Sequence, residues 1–145
     1  MLEFRTSYNY LDVYRVIDGK KNRLPFNPKN RIMAAISYRP KKNQWYIDLN
    51  GHWYDRQRLP NTASNPPEFR MPDYSDPYTV INAQITRKFN KIEIYSGVEN
   101  IFDFRQQRPI VSWQNPFGNY FDTSFVWGPT RGREIYLGVR FKITR

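Results

Sequence analysis

Apolar side chains recur at every second position in six separate stretches of the chain. Leu2, Phe4, Tyr8 and Tyr10 alternate with Glu3, Arg5, Ser7 and Asn9. Ile32, Ala34, Ile36 and Tyr38 alternate with Arg31, Ala35, Ser37 and Arg39. Trp45, Ile47, Leu49 and Trp53 interleave with Tyr46, Asp48, Asn50, His52 and Tyr54, and Ile81, Ala83, Ile85 and Phe89 with Asn82, Gln84, Thr86 and Lys88. Ile92, Ile94 and Val98 alternate with Glu93, Tyr95 and Glu99, and Ile135, Leu137, Val139, Phe141 and Ile143 with Tyr136, Arg140 and Lys142. Period two makes strands with one apolar and one polar face. No stretch carries the i, i+3, i+4 recurrence of a helix. The pattern predicts an all-β, antiparallel up-and-down meander of about six strands, near residues 2–12, 31–39, 44–56, 78–89, 91–102 and 133–143.

The links sort by length. Pro40-Lys41-Lys42-Asn43 and a turn at Asn90 are short, whereas residues 13–30, 57–77 and 103–133 form long links rich in Pro, Gly, Asn and Asp. Short turns on one edge of a sheet and long loops on the other fit a transmembrane barrel better than a soluble meander. Aromatic placement agrees. Tyr38, Trp45 and Phe89 lie on apolar faces beside the short turns, and Tyr8, Tyr10, Trp53 and Phe102 near the long-loop ends. Two aromatic rows a strand length apart are expected at the two membrane interfaces. The polar face is crowded, with Tyr46, Tyr54, Tyr95 and Tyr136 among charges, as in a lumen wall.

Composition changes this picture little. The chain has 145 residues, enough for one domain. No apolar run is long enough for a transmembrane helix, and MLEFRTSYNY has none of the features of a signal peptide. A mean hydropathy of -0.80 reads as soluble, but transmembrane strands are apolar on one face only. Four Trp, eleven Tyr and ten Phe argue against disorder despite eleven prolines. The absence of cysteine excludes disulfides and thiolate metal sites. A net charge of +10 invites a nucleic-acid reading, but the basic residues are scattered, the densest groups being Lys20, Lys21 and Arg23, then Lys41 and Lys42. Nucleic acid is not expected as a partner.

Enzymatic chemistry finds no footing. His52, the single histidine, has no sequence partners for catalysis or metal binding, and its reading is a hydrogen-bonding residue on the polar wall. Asp73, Asp76, Asp103 and Asp122 lie in long loops at spacings that match no calcium loop. No nucleophile elbow, zinc-binding helix or phosphate-binding glycine loop occurs. The chain is read as not an enzyme, with no catalytic, cofactor-binding or metal residue assigned.

The run IYSGVENIFDFRQQRPIV, followed by FGNYFDTSFVWGPTRGREIYLGVRFKI, resembles the C-terminal end of TonB-dependent outer-membrane receptors. GVENIFD, then WGPTRGR before a final IYLGVRFKI, is the specific combination. It covers residues 92–143, while residues 1–91 share only strand and loop rhythm. Gly97, Glu99, Asn100, Asp122, Gly128, Pro129, Gly132 and Arg133 occupy signature positions by that resemblance. The last strand also resembles the signal by which the outer-membrane insertion machinery recognises barrel precursors. Tyr136, Gly138, Phe141 and Ile143 fill its pattern, although the chain ends Thr144-Arg145 and not on an aromatic residue.

The resemblance implies a barrel of roughly 22 strands with a plugged lumen, in the cell outer membrane, importing a scarce nutrient with energy from the TonB complex. The substrate class spans siderophore, haem, corrinoid and glycan. About six strands with no plug and no export signal read as the C-terminal fragment of such a receptor, not competent for transport alone. Its expected partners are the rest of the barrel and plug, the TonB complex, the insertion machinery and the lipid bilayer. Loop aromatics Trp113, Phe117, Tyr120 and Trp127 are candidate contacts for an extracellular ligand, or else pack the loop on itself. Two other readings stay open: a soluble β-sandwich module binding carbohydrate, and a basic β-domain binding nucleic acid.

Overall fold

The computed structural model describes residues 1–41 and 44–143. Among these residues eight strands form, with one short 3₁₀ turn at Pro67–Phe69: β1 (Leu2–Tyr10), β2 (Tyr14–Ile17), β3 (Lys20–Arg23), β4 (Asn30–Tyr38), β5 (Trp45–Tyr54), β6 (Tyr78–Lys88), β7 (Ile92–Glu99) and β8 (Glu134–Phe141). Six of them make one sheet in the order β1-β4-β5-β6-β7-β8, antiparallel throughout. This is the expected meander, and the protein is all-β. The sheet is open, with β1 and β8 at its edges.

Register keeps the two faces separate across all six strands. Ile36 pairs with both Phe4 and Leu49, Leu49 with Ala83, Ala83 with Val98, and Val98 with Ile135. A slip of one residue at any pairing would push a whole apolar row onto the polar side. Lys42 and Asn43 of the first short turn lie outside the described residues. In the second, the Phe89 N–H donates to the Ile92 carbonyl at 2.7 Å.

Strand ends differ from expectation by a few residues. β7 stops at Glu99 because Asn100 takes a left-handed backbone, φ 52°, that a strand cannot continue. β1 stops at Tyr10, and β8 ends at Phe141, which leaves Ile143 beyond the ladder. The larger correction concerns residues 13–30, read as a loop. They contain a second sheet, the hairpin β2–β3. Its turn is Asp18-Gly19, with φ 49° and 71°, the two positive values a two-residue hairpin needs. The Asp-Gly pair was the available signal, but Lys20–Arg23 has no alternation to reveal the strand.

The core does not lie on the sheet. Among the described residues the buried hydrophobic ones are Leu59, Val111 and Phe125, all in the long links, with Phe26, Phe69, Met71 and Trp127 packed against them. The apolar sheet face is bare: Phe4, Ile36, Ile47, Ile85, Ile94 and Val139 are exposed, and Ile135 and Leu137 keep 75% and 76% of their surface. Total accessible surface is 10912 Å². A compact monomer of this mass would expose about 7,900 Å². The excess is the signature of a sheet that lacks a covering layer.

Candidate functional site

The polar face is a wall knitted across strands. Glu93 on β7 accepts Lys88 of β6 at 3.0 Å and Arg140 of β8 at 2.9 Å. Arg39 reaches Asp48, which also accepts the Ser37 hydroxyl, while Glu3 accepts Arg5 at 2.8 Å. Solvent-exposed pairs such as these contribute little stability in water. Their effect is positional: those that cross between strands hold neighbours side by side, while Glu3–Arg5 lies within β1. Amides continue the pattern above them. Asn82 donates to Asn50 at 2.9 Å and accepts the Asn100 backbone N–H at 2.9 Å.

β7 and β8 are joined by a reciprocal clasp. Tyr95 faces Gly138 and Gly97 faces Tyr136 in the register. Each tyrosine ring reaches over the opposite glycine, so closely that a Cβ at either glycine would meet its ring carbons and hydroxyl. Glycine is required here for close approach, and the ring returns the cover that glycine cannot supply. The Tyr136 hydroxyl then donates to Gln84 at 3.0 Å, tying β8 to β6 across β7. All the close atoms at Gly138 belong to Tyr95, whereas Gly97 also meets the Ala83 carbonyl at 2.9 Å. Gly138→Ala is therefore expected to lower stability by about 1–3 kcal/mol, the usual cost of overpacking. Adding Tyr95→Ala should recover part of that loss. Urea midpoints of the two variants and of Tyr95→Ala alone check this; purely additive losses would refute the clasp.

An aromatic column climbs from this wall into the loops. His52 lies beside Tyr54, Tyr54 stacks on Tyr78 at 4.8 Å, and Tyr78 stacks on Phe104 at 5.0 Å. Trp127 tilts against both Tyr78 and Phe104, at 5.6 Å and 6.2 Å. The ring faces are largely consumed by one another, so the column props the loops upon the sheet.

Two buried amides tie the loop cap together. Asn100 accepts the Phe104 N–H at 3.0 Å and donates to the Phe104 carbonyl at 2.7 Å. Gln106 accepts the N–H groups of Trp127 and Gly128 at 2.7 and 3.0 Å and donates to the Phe125 carbonyl at 2.6 Å. Its own N–H donates to Pro129 at 2.7 Å. Asp103 accepts the Arg133 N–H at 2.7 Å and the Arg105 guanidinium at 3.0 Å. The Arg133 backbone N–H, and after it the Arg105 side chain, hold the Asp103 carboxyl below the usual carboxylate range. Any Cβ on Gly132 would collide with these two side chains.

Most of the signature positions thus converge. Asn100, Gly128, Pro129, Gly132 and Arg133 belong to one knot where the cap meets the tops of β7 and β8, with Gly97 and Glu99 on β7 below it. Asp122 lies apart, paired with Val111 and capping the Ser124 N–H at 2.8 Å. Among the assembly-signal positions, Tyr136 and Gly138 form the clasp, while Phe141 and Ile143 are exposed beside the free edge of β8. Thr144 and Arg145 lie outside the described residues.

The candidate ligand aromatics do not form one patch. Trp113 and Phe117 project into solvent, Phe117 at 97% exposure. Tyr120 stacks on Phe69 at 5.1 Å, and Trp127 is packed into the cap. A recess of about 400 Å³ opens between the two longest links, lined by Tyr74, Asp76, Phe104, Arg105, Arg108 and Trp127 among others. Nothing in the sequence singles out Gln106, Leu59, Val111 and Phe125, or Gln57, which is buried and donates to the Trp127 carbonyl at 3.0 Å, because irregular links carry no periodicity to mark an inward position. No family model and no curated protein matches the chain.

Proposed function

We propose that this chain is the C-terminal β-barrel segment of a TonB-dependent outer-membrane receptor, in which its apolar sheet face meets lipid and its polar face lines the lumen. The observation that carries the reading is the bare apolar face of a six-stranded sheet whose core lies in the loops. In water such a face would be an aggregation surface. Against acyl chains it is satisfied. Strands of 8 to 11 residues suit a bilayer, which a tilted strand crosses in about 9–11. Trp45 and Trp53 lie on that face at opposite ends of β5, about 26 Å apart along the strand. Tilt reduces the height to roughly 20 Å, a little under the apolar band of about 25 Å. Arg87, on the apolar face opposite Trp45, holds its guanidinium 4.7 Å from that ring and 5.2 Å from Phe89. A cation there snorkels to the headgroups.

Closing the sheet needs further strands on β1 and β8, because free edges are not tolerated in hydrocarbon. The receptor's other strands supply them and its plug fills the polar side. The loop cap then faces outward as the ligand-gathering surface for a siderophore, haem, corrinoid or glycan, with the TonB complex supplying energy. A soluble sandwich would require a second sheet on the apolar face. Among the described residues the additional sheet is β2–β3, whose Val16 and Ile17 are themselves exposed.

Depth-resolved fluorescence tests the reading. In vesicles of brominated phospholipid, single-tryptophan variants retaining Trp45 or Trp53 are expected to be quenched strongly. A variant retaining Trp113 should not be. A chain that stays monomeric in buffer with no quenching at any position would sink the proposal.

A further inference from the structure

The basic residues on the polar face of the sheet strands are Arg5, Arg31, Lys88 and Arg140. Three have a carboxylate: Arg5 meets Glu3 at 2.8 Å, and Lys88 and Arg140 share Glu93 at 3.0 and 2.9 Å. Arg31 has none in ion-pair range among the described residues, and its Nε–H is buried with no acceptor. A buried donor of a charged group left without an acceptor is uncommon in a native fold and asks for an explanation.

The Nε–H is closed off from solvent, and the missing counter-ion is what the surroundings of the guanidinium bear on. Arg31 pairs with Asn9 on β1 and Tyr54 on β5, and one step down Met33 pairs with Ser7 and His52. These residues line a recess of about 410 Å³ on the polar face. The guanidinium lies 5.8 Å from the Tyr54 ring centre, and Tyr54 is itself stacked on Tyr78. The cation is therefore held in one place by aromatic contact, not by a counter-ion. Ser7, Asn9 and His52 add donor groups around it, and no carboxylate lines the recess.

We infer that this recess binds an oxyanion, the carboxylate or phosphate group of a ligand lodged against the polar wall. A planar guanidinium presents two parallel N–H groups to such a group, which a lysine could not. The Nε–H is closed off from the recess, so an incoming oxyanion meets the Nη groups of the guanidinium, and the neighbouring hydroxyl, amide and imidazole groups complete its shell. The inference rests on the membrane reading for one point only, that this face lines the lumen of the barrel.

The test uses the chain refolded in detergent micelles, with arginine Nε–H resonances followed by NMR. Inorganic phosphate and acetate are titrated separately against chloride at equal ionic strength. A saturable shift of the Arg31 signal is expected with at least one anion, at a Kd on the order of 1 mM. Phosphate acting alone assigns a phosphate ligand, and acetate acting as well assigns a carboxylate. Arg31→Gln should abolish binding while Arg140→Gln preserves it. Wild-type chain also suffices without any variant: the anion should slow phenylglyoxal labelling of Arg31 about tenfold at roughly ten times Kd. No saturable shift with either anion, or an equal response to chloride or at Arg140, would overturn the assignment. Anion binding in a chain that shows no lipid quenching would leave this site standing and remove the membrane reading, and the converse result would do the opposite.

Discussion

Phe125→Ala is expected to destabilise the loop cap by about 3–5 kcal/mol, the range for removing a buried aromatic ring. Phe125 is 1% exposed and packs with Leu59 and Val111, which come from two different long links. Phe125 is the largest fully buried side chain among the described residues, so its removal leaves the largest cavity a single truncation could open here. The damage should also spread through hydrogen bonds. The Phe125 carbonyl accepts from Gln106, which in turn holds the N–H groups of Trp127 and Gly128. A loss of this size exceeds what a small cap can spare and should unfold it locally while the sheet persists. Trypsin checks this in vesicles, because Arg58, Arg70 and Arg105 all lie in the cap links. Rapid cleavage there, with residues 30–54 and 78–99 protected, is the expected result. Phe125→Leu should remain resistant, since a smaller change of volume costs less. Equal resistance of Phe125→Ala and wild type would show that the cap is held by something other than this cluster.

Leu49→Arg is expected to cost about 2–4 kcal/mol of stability in a bilayer, the penalty for a cation at the midplane of a lipid-facing strand. Leu49 stands in the middle of β5 on the apolar face, between Ile36 and Ala83. Both ends of that face carry aromatic residues, so the guanidinium would have to stretch past a ring of apolar neighbours to reach water. The same substitution in a soluble protein would be close to neutral, within about 0.5 kcal/mol, because Leu49 is exposed already. The two functional readings therefore predict opposite outcomes for one variant. Ala35→Arg supplies the control, adding the same charge one position from Ile36 but on the polar face. Urea midpoints in vesicles should fall sharply for Leu49→Arg and little for Ala35→Arg. Similar midpoints for both would count against a lipid-facing apolar side.

The alternation in the six segments was readable because a strand in a two-faced sheet encodes its own orientation every two residues. Ile32 to Tyr38 and Ile135 to Phe141 needed no knowledge of their neighbours to be assigned a face. The links had no such code. Residues 14–17 and 20–23 became a hairpin through the backbone freedom of Asp18 and Gly19, a local signal unaccompanied by alternation. Trp127, legible as a loop aromatic, is packed between Tyr78, Phe104 and the cap core, a placement no local pattern announces.

The sequence by itself determined the all-β class, the order and faces of the six long strands, and the sorting of short turns from long loops. It could do so because side-chain direction along a strand is set by backbone geometry alone. Only the tertiary structure decided where the protein keeps its core, which glycines lie beneath tyrosines, and which basic residue on the polar sheet face has no carboxylate in ion-pair range among the described residues. Those facts depend on which residues face each other across strands and links far apart in the chain, and the distances that create burial or charge pairing exist only once the chain has folded.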